Sequence, residues 1–263
     1  MILPDKNGYS PNYQAIWSRR TPGLIVFMID QSASMSQIGA GGEIIAEKVT
    51  RLINNTIEML CVFNDFHGDL MYIAIVGYGR MEGTNIIRSG WLHSYAEDCA
   101  KGTSTEQCVI PVYDGVPDMT EAFKLVSDLV LTWIEVRRKE KCAFHCPVPL
   151  ILNFTKGVNI GDDNEMVTIC NSIKQIALDD GHPLIYNFLF PTHSFFKTLE
   201  FPIKEQFYGD LDEYNSIWET ASTFPESLID EFTEYGCYSI VKSSRSIIVN
   251  PPRIPIVNHI HTL

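Results

Sequence analysis

The 263-residue chain is 45% hydrophobic and 20% charged, with a formal net charge of −12. That length and balance suit one large buried core and exclude a disordered polymer. The charge argues against a nucleic-acid or anionic-membrane surface, which needs clustered Lys and Arg, and no apolar run reaches the roughly 18–20 residues of a membrane helix.

Residues 1–22 read as a polar, Pro-containing lead-in. Asp5, Asn7 and Gly8 stand where a secretory leader would be apolar, so no signal peptide is expected. Leu24–Ile29 is a continuous apolar run of strand length, the pattern of a central parallel strand buried on both faces. The polar stretch Asp30-Gln31-Ser32-Ala33-Ser34 follows at once, and then Gly39, Gly41 and Gly42. Ile45, Val49, Leu52, Ile53, Ile57 and Leu60 next mark a helical stripe. The cadence recurs. Met71–Val76 predicts a strand, and Met119, Ala122, Phe123, Val126, Val130 and Trp133 predict a long amphipathic helix. Pro149–Phe154 predicts a strand, Met166 to Ile176 a helix with Gly181 as its stop, and Leu184–Phe190 another strand. Leu211 to Phe232 suggests terminal helical turns. Strands alternating with helices predict an α/β fold: a doubly wound, mostly parallel central sheet flanked by helices, over residues 23–242.

Two stretches depart from this pattern. Residues 93–118 read as a long polar connection, of the kind that often carries function. Residues 243–263 contain Pro251, Pro252 and Pro255, which forbid helix, and are expected to run extended across the surface. The seven cysteines, odd in number and scattered, fit reduced thiols and hence a cytoplasmic location.

In a doubly wound sheet, ligands gather beyond the carboxyl ends of the strands. Asp30, Ser32 and Ser34 stand there. A carboxylate and two hydroxyls at alternating positions of a tight loop converge on one hard cation through oxygen, as Mg²⁺ prefers. Strand–Asp-x-Ser-x-Ser–helix resembles the opening of the metal-ion-dependent adhesion site of von Willebrand factor A (VWA) domains. The strand–helix cadence is similar to that fold from about Gly23 to Phe232, and its flavour is similar to the bacterial TerY-like, tellurium-resistance type. The resemblance implies a protein-interaction module of a bacterial stress, signalling or defence system rather than an enzyme. Its implied partner is another protein, such as an operon-encoded kinase, phosphatase or ATPase.

Beyond that first element the motif is altered. Pro117 stands where the family carries a Thr, with Asp118 or Thr120 as substitutes if the loop turns differently. Thr155-Lys156-Gly157 stands where the family has Thr-Asp-Gly. An ammonium there repels a divalent cation and can neutralise Asp30 by direct pairing. Three readings follow: Mg²⁺ held by Asp30, Ser32 and Ser34, a metal-free face in which Lys156 takes the cation's place, or a differently built site; for Lys156 itself the simplest alternative is that it points into solvent. The first two place partner binding at Asp30, Ser32, Ser34 and Lys156. A metal-assisted hydrolase or phosphotransferase using a cation at Asp30 is the alternative function. No second carboxylate cluster for two-metal chemistry is visible in the sequence.

Other motifs have simpler readings. Cys142-Ala143-Phe144-His145-Cys146 lacks a second ligand pair for structural zinc. His182, His193, His259 and His261 are isolated, and no Gly-x-Ser-x-Gly elbow is present. The Gly39–Gly42 stretch lacks the phosphate-loop Lys and is expected to let the chain wrap around Asp30. Asp162, Asp163 and Glu165 are expected to cap the helix that follows them.

Overall fold

The computed structural model describes residues 12–67, 69–100, 108–140, 146–191, 197–208, 211–234, 236, 238–255 and 260. In chain order the elements are β1 (Gly23–Asp30), α1 (Ile45–His67), β2 (Met71–Arg80), β3 (Gly83–Trp91), α2 (Leu92–Ala100), α3 (Met119–Lys139) and β4 (Leu150–Thr155). There follow α4 (Asp163–Lys174), β5 (Leu184–Leu189), β6 (Leu199–Glu200), α5 (Lys204–Tyr208), α6 (Asn215–Thr220), α7 (Ile229–Glu234) and β7 (Ile247–Val249). Among the described residues, seven strands form one sheet in the order β3-β2-β1-β4-β5-β7-β6. The five inner strands pair parallel, and β3 and β6 close the two edges antiparallel. The chain is a doubly wound α/β domain.

Side-chain alternation along β1 decides which layer each residue joins. Ile25, Phe27 and Ile29 face one core with Val49, Ile53 and Ile57 of α1. Leu24, Val26 and Met28 face the other, with Phe123, Val126 and Val130 of α3. Every residue of β1, β4 and β5 is buried, as a strand covered on both faces requires. Full burial of one such side chain, for example Phe27, is worth about 2–3 kcal/mol.

The four apolar runs expected as inner strands all lie in this one sheet. Three expectations need correction. The 93–118 stretch is not a continuous connection, because Leu92–Ala100 forms α2. The edge strand β3 was not expected at all, since most of its side chains are exposed or half-exposed and leave no apolar run. The 243–263 segment does not simply cross the surface: Ile247–Val249 is fully buried and hydrogen-bonded in the sheet beside β5. The prolines fall after that strand, where they break no ladder. Among the described residues, no helix is long and apolar enough to cross a membrane.

Candidate interaction site at the carboxyl end of the sheet

β1 and β4 are neighbours in register, with Ile29 opposite Phe154. The residues that follow them, Asp30 on one side and Thr155-Lys156 on the other, therefore emerge side by side. Asp30 and Lys156 are each only 1% exposed. The Asp30 carboxylate accepts a hydrogen bond from the Ser32 backbone N–H (2.9 Å) and a long one from the Thr155 hydroxyl (3.4 Å). Burial pushes its pKa up, against the opposing pull of hydrogen bonds from Ser32, from the Lys156 backbone N–H and from Thr155. The Ser32 and Ser34 hydroxyls lie 3.0 Å apart and bond to each other.

The Lys156 ammonium donates to Gln37 Oε1 at 2.6 Å. Burial lowers its pKa, and the charge of Asp30 acts in the opposite direction. The Lys156 ammonium is thus neither solvent-facing nor hydrogen-bonded to the Asp30 carboxylate. It is a buried cation within the field of the carboxylate, with its proton held by a glutamine that no motif identifies. Gln37 is held in turn by the glycine loop. Ile38 bridges Ile44, and the Ile45 N–H returns to Gln37 O (3.0 Å). Gly41 and Gly42 turn that excursion at positive φ, 94° and 79°. Beyond Lys156, Gly157 also has positive φ (84°), and a Cβ there would fall 2.3 Å from Tyr214, so the sharp exit from β4 requires glycine.

The third loop comes from the segment before α3. Asp114 N–H donates to Gln31 O and Ala33 N–H to Gly115 O, which lays residues 114–117 against the Asp30 loop. Pro117 lies there too, with its Cα 3.2 Å from where a Cβ on Gly79 would stand, and it offers no side-chain oxygen. Asp118 caps α3 by accepting from the Glu121 N–H (3.0 Å). The Thr120 hydroxyl donates to Asp162 O (3.1 Å) and accepts from Asn159 Nδ2 (3.2 Å), while Asn159 Oδ1 accepts from the Met119 N–H (2.8 Å). Thr120 and the Met119 N–H therefore tie α3 to the loop after β4, while Asp118 serves its own helix as the cap. Asp162 caps α4 through the Asn164 and Glu165 N–H groups, as its sequence position suggests.

Behind the site a polar chain crosses the core. Tyr78 OH donates to Asn153 Oδ1, Asn153 Nδ2 to Asn187 Oδ1, and Asn187 Nδ2 to Ile217 O and Thr220 Oγ1, each at 2.9 Å. The sequence reading missed both asparagines, which are hidden inside apolar strand runs. Residues 141–145 and His193, His259 and His261 lie outside the described residues. The His182 ring bonds Ile176 O (3.0 Å), a local contact.

No family model and no curated protein matches this sequence. Among solved structures, the chain is similar to the pilus adhesin SpaC from Lactobacillus rhamnosus GG, with a TM-score of 0.44 and 11% identity over 66% of this chain and 25% of that one. It is similar to the SpRpn10 VWA domain, with a TM-score of 0.39 and 13% identity over 66% and 77%. It is also similar to BatB from Bacteroides thetaiotaomicron, described as a conserved hypothetical protein, with a TM-score of 0.35 and 12% identity over 68% and 75%. The chain thus spans a quarter of the adhesin's length. The sheet order and register above, rather than these distant likenesses, carry the fold assignment.

Proposed function

We propose that this chain is a VWA-type protein-interaction module without catalytic turnover, and that it docks its partner on the loops around Asp30. In this reading Lys156 is an internal counter-charge to Asp30, standing in the place that a divalent cation takes in the family the chain resembles, and the surrounding loops do the docking. The observation that carries it is the buried Lys156 ammonium, fixed by Gln37 where the family motif has an aspartate. The donor set fits Mg²⁺ poorly. A hexacoordinate ion needs several oxygens free to turn inward, whereas one Asp30 oxygen accepts from Ser32 N–H, Ser32 and Ser34 bond each other, and Asp118 and Thr120 are engaged elsewhere. An ammonium nearby adds repulsion. The partner is a protein, with an operon-encoded kinase, phosphatase or ATPase of a bacterial stress or defence system the expected class.

The test uses a photoreactive amino acid placed at Ile160, on the proposed face, or at Val62, on the outer side of α1. Crosslinking in the native cell should trap a discrete partner from the first position and not the second. Trapping should survive EDTA and vanish in Asp30→Ala. Isothermal titration of the purified chain with MgCl₂ or MnCl₂ should give no binding heat. Tight metal binding, or trapping only at Val62, would overturn the reading.

A further inference from the structure

The loops around Asp30 hold apolar side chains that folding leaves uncovered. Ile38 follows Gln37, Met81 tips the β2–β3 turn, Val116 precedes α3, and Val158 and Ile160 follow β4. All five are exposed, Met81 to 85%. They come from four loops, three of which are tied to one another. Met81 N–H donates to Asp114 Oδ1 (3.2 Å), and Ile160 N–H donates to Pro117 O (2.8 Å). Gly115 lies so close to the β2–β3 turn that a Cβ on it would stand 2.5 Å from Gly79 O. Single exposed apolar residues are ordinary on any surface. Five gathered from separate loops at one end of the sheet mark an interaction surface.

The charges around them have one dominant sign. Arg80 lies between Glu82 (3.4 Å) and Asp114 (3.6 Å), and Lys124 between Glu121 (2.8 Å) and Glu165 (3.0 Å). Each cation thus faces two carboxylates. Among the described residues, no salt bridge neutralises Asp118, Asp162 or Asp163, which stand at the starts of α3 and α4. The whole chain is acidic as well. Lys156, at the centre, is buried under Gln37 and offset by Asp30, and half-buried Lys48 packs over the Phe190 ring.

We infer that the occupant of this face is a basic apolar segment of a partner protein: hydrophobic side chains seated among Met81, Val116 and Ile160, flanked by Lys or Arg opposite the acidic starts of α3 and α4. This rests on the docking face proposed above and adds the chemistry of its partner. A segment led by an acidic side chain meets repulsion here, because among the described residues Lys156 is buried and Arg80 and Lys124 each already face two carboxylates.

A random-peptide phage library selected against the full chain tests it. The recovered peptides should combine apolar residues with Lys or Arg, and their affinity should fall as NaCl is raised, since exposed charge pairs are screened by salt. Val116→Asp and Ile160→Asp should each weaken a synthetic consensus peptide by roughly tenfold or more, the scale of an interface hot spot. Val62→Asp and Leu131→Asp, on exposed positions of α1 and α3, should leave it unchanged. Acidic peptides whose binding still depends on Val116 and Ile160 would overturn the basic-partner inference while leaving the docking face intact. Peptides insensitive to both substitutions, or no selected peptide, would overturn the inference, and the former would remove the docking face with it. Concentration-dependent dimers in sedimentation that Val116→Asp dissolves would make a second copy of the chain the occupant and also overturn it.

Discussion

β1 and β4 run side by side through the centre of the sheet, and they end in opposite charges. β1 delivers Asp30, whose carboxylate is held by the loop that follows it. β4 delivers Lys156, whose ammonium is held by a residue more than a hundred positions away in sequence. Both are buried, and the Lys156 ammonium bonds Gln37 rather than the carboxylate, which takes from Lys156 only its backbone N–H. The difference teaches that the Asp30 carboxylate finds a partner within its own Asp-x-Ser-x-Ser turn as well as across the sheet, whereas the Lys156 ammonium depends on a tertiary contact with the Gln37 loop.

Replacing Lys156 tests this contrast hardest. Lys156→Asp sets two carboxylates together in a buried site, and should cost about 3–5 kcal/mol in EDTA, the scale of an uncompensated buried charge. Added Mg²⁺ should recover part of that loss, seen as a higher thermal unfolding midpoint, while the wild-type midpoint stays where it was. A variant with equal midpoints in EDTA and Mg²⁺ would show that Asp30 and the new carboxylate do not share one site.

The polar chain behind the site sharpens the comparison between the apolar interior of β1 and the asparagine pair of β4 and β5. Asn187→Ala leaves Asn153 Nδ2 in the core with only the weak Met119 sulfur acceptor (3.4 Å). About 2–3 kcal/mol should be lost in urea unfolding, because a buried donor left poorly satisfied retains most of its desolvation cost. An unchanged urea midpoint would mean that the network relaxes around the gap.

Gly161 probes the ties between α3 and the loop after β4. A Cβ at this position would stand 2.5 Å from Thr120 Oγ1 and 2.6 Å from Asp118 Oδ1. Gly161→Ala should cost about 1–2 kcal/mol through loss of the Asp118 cap and its neighbouring bonds. Restoration by Thr120→Ser, which leaves the hydroxyl in place, is not expected, whereas Thr120→Ala should relieve part of the crowding in a double-mutant cycle.

The smallest effect concerns another lysine, this one half-buried. Lys174 donates to Glu219 O and Ala221 O, and burial lowers its pKa from 10.5 to about 8. Below about pH 8 both the folded and unfolded chains carry the proton, and the burial cost is constant. Between about pH 8 and pH 10.5 the unfolded chain binds more protons, so stability rises with pH. Partial exposure limits the gain to about 1–2 kcal/mol. Chemical denaturation across that window should show the rise in the wild type and lose it in Lys174→Met.

Much of the fold was legible because burial on both faces forces continuous apolar runs. Leu24–Ile29, Met71–Val76, Pro149–Phe154 and Leu184–Phe190 show this, and the stripes of α1, α3 and α4 carry helical spacing. β3 escaped notice because an edge strand half open to water needs no such run, and β7 because three buried residues before a proline cluster are too short a signal. Of the candidate site, the sequence by itself determined the local part: the Asp30 turn, the Asp162 cap, and a lysine at the end of β4. Only the tertiary structure decided which acceptor that lysine's ammonium takes, that Thr120 binds the loop beyond β4, and that Asn153 and Asn187 join across the sheet. Local hydrogen bonds are written in residue spacing, but a buried charge takes whichever distant partner the packed loops bring within reach.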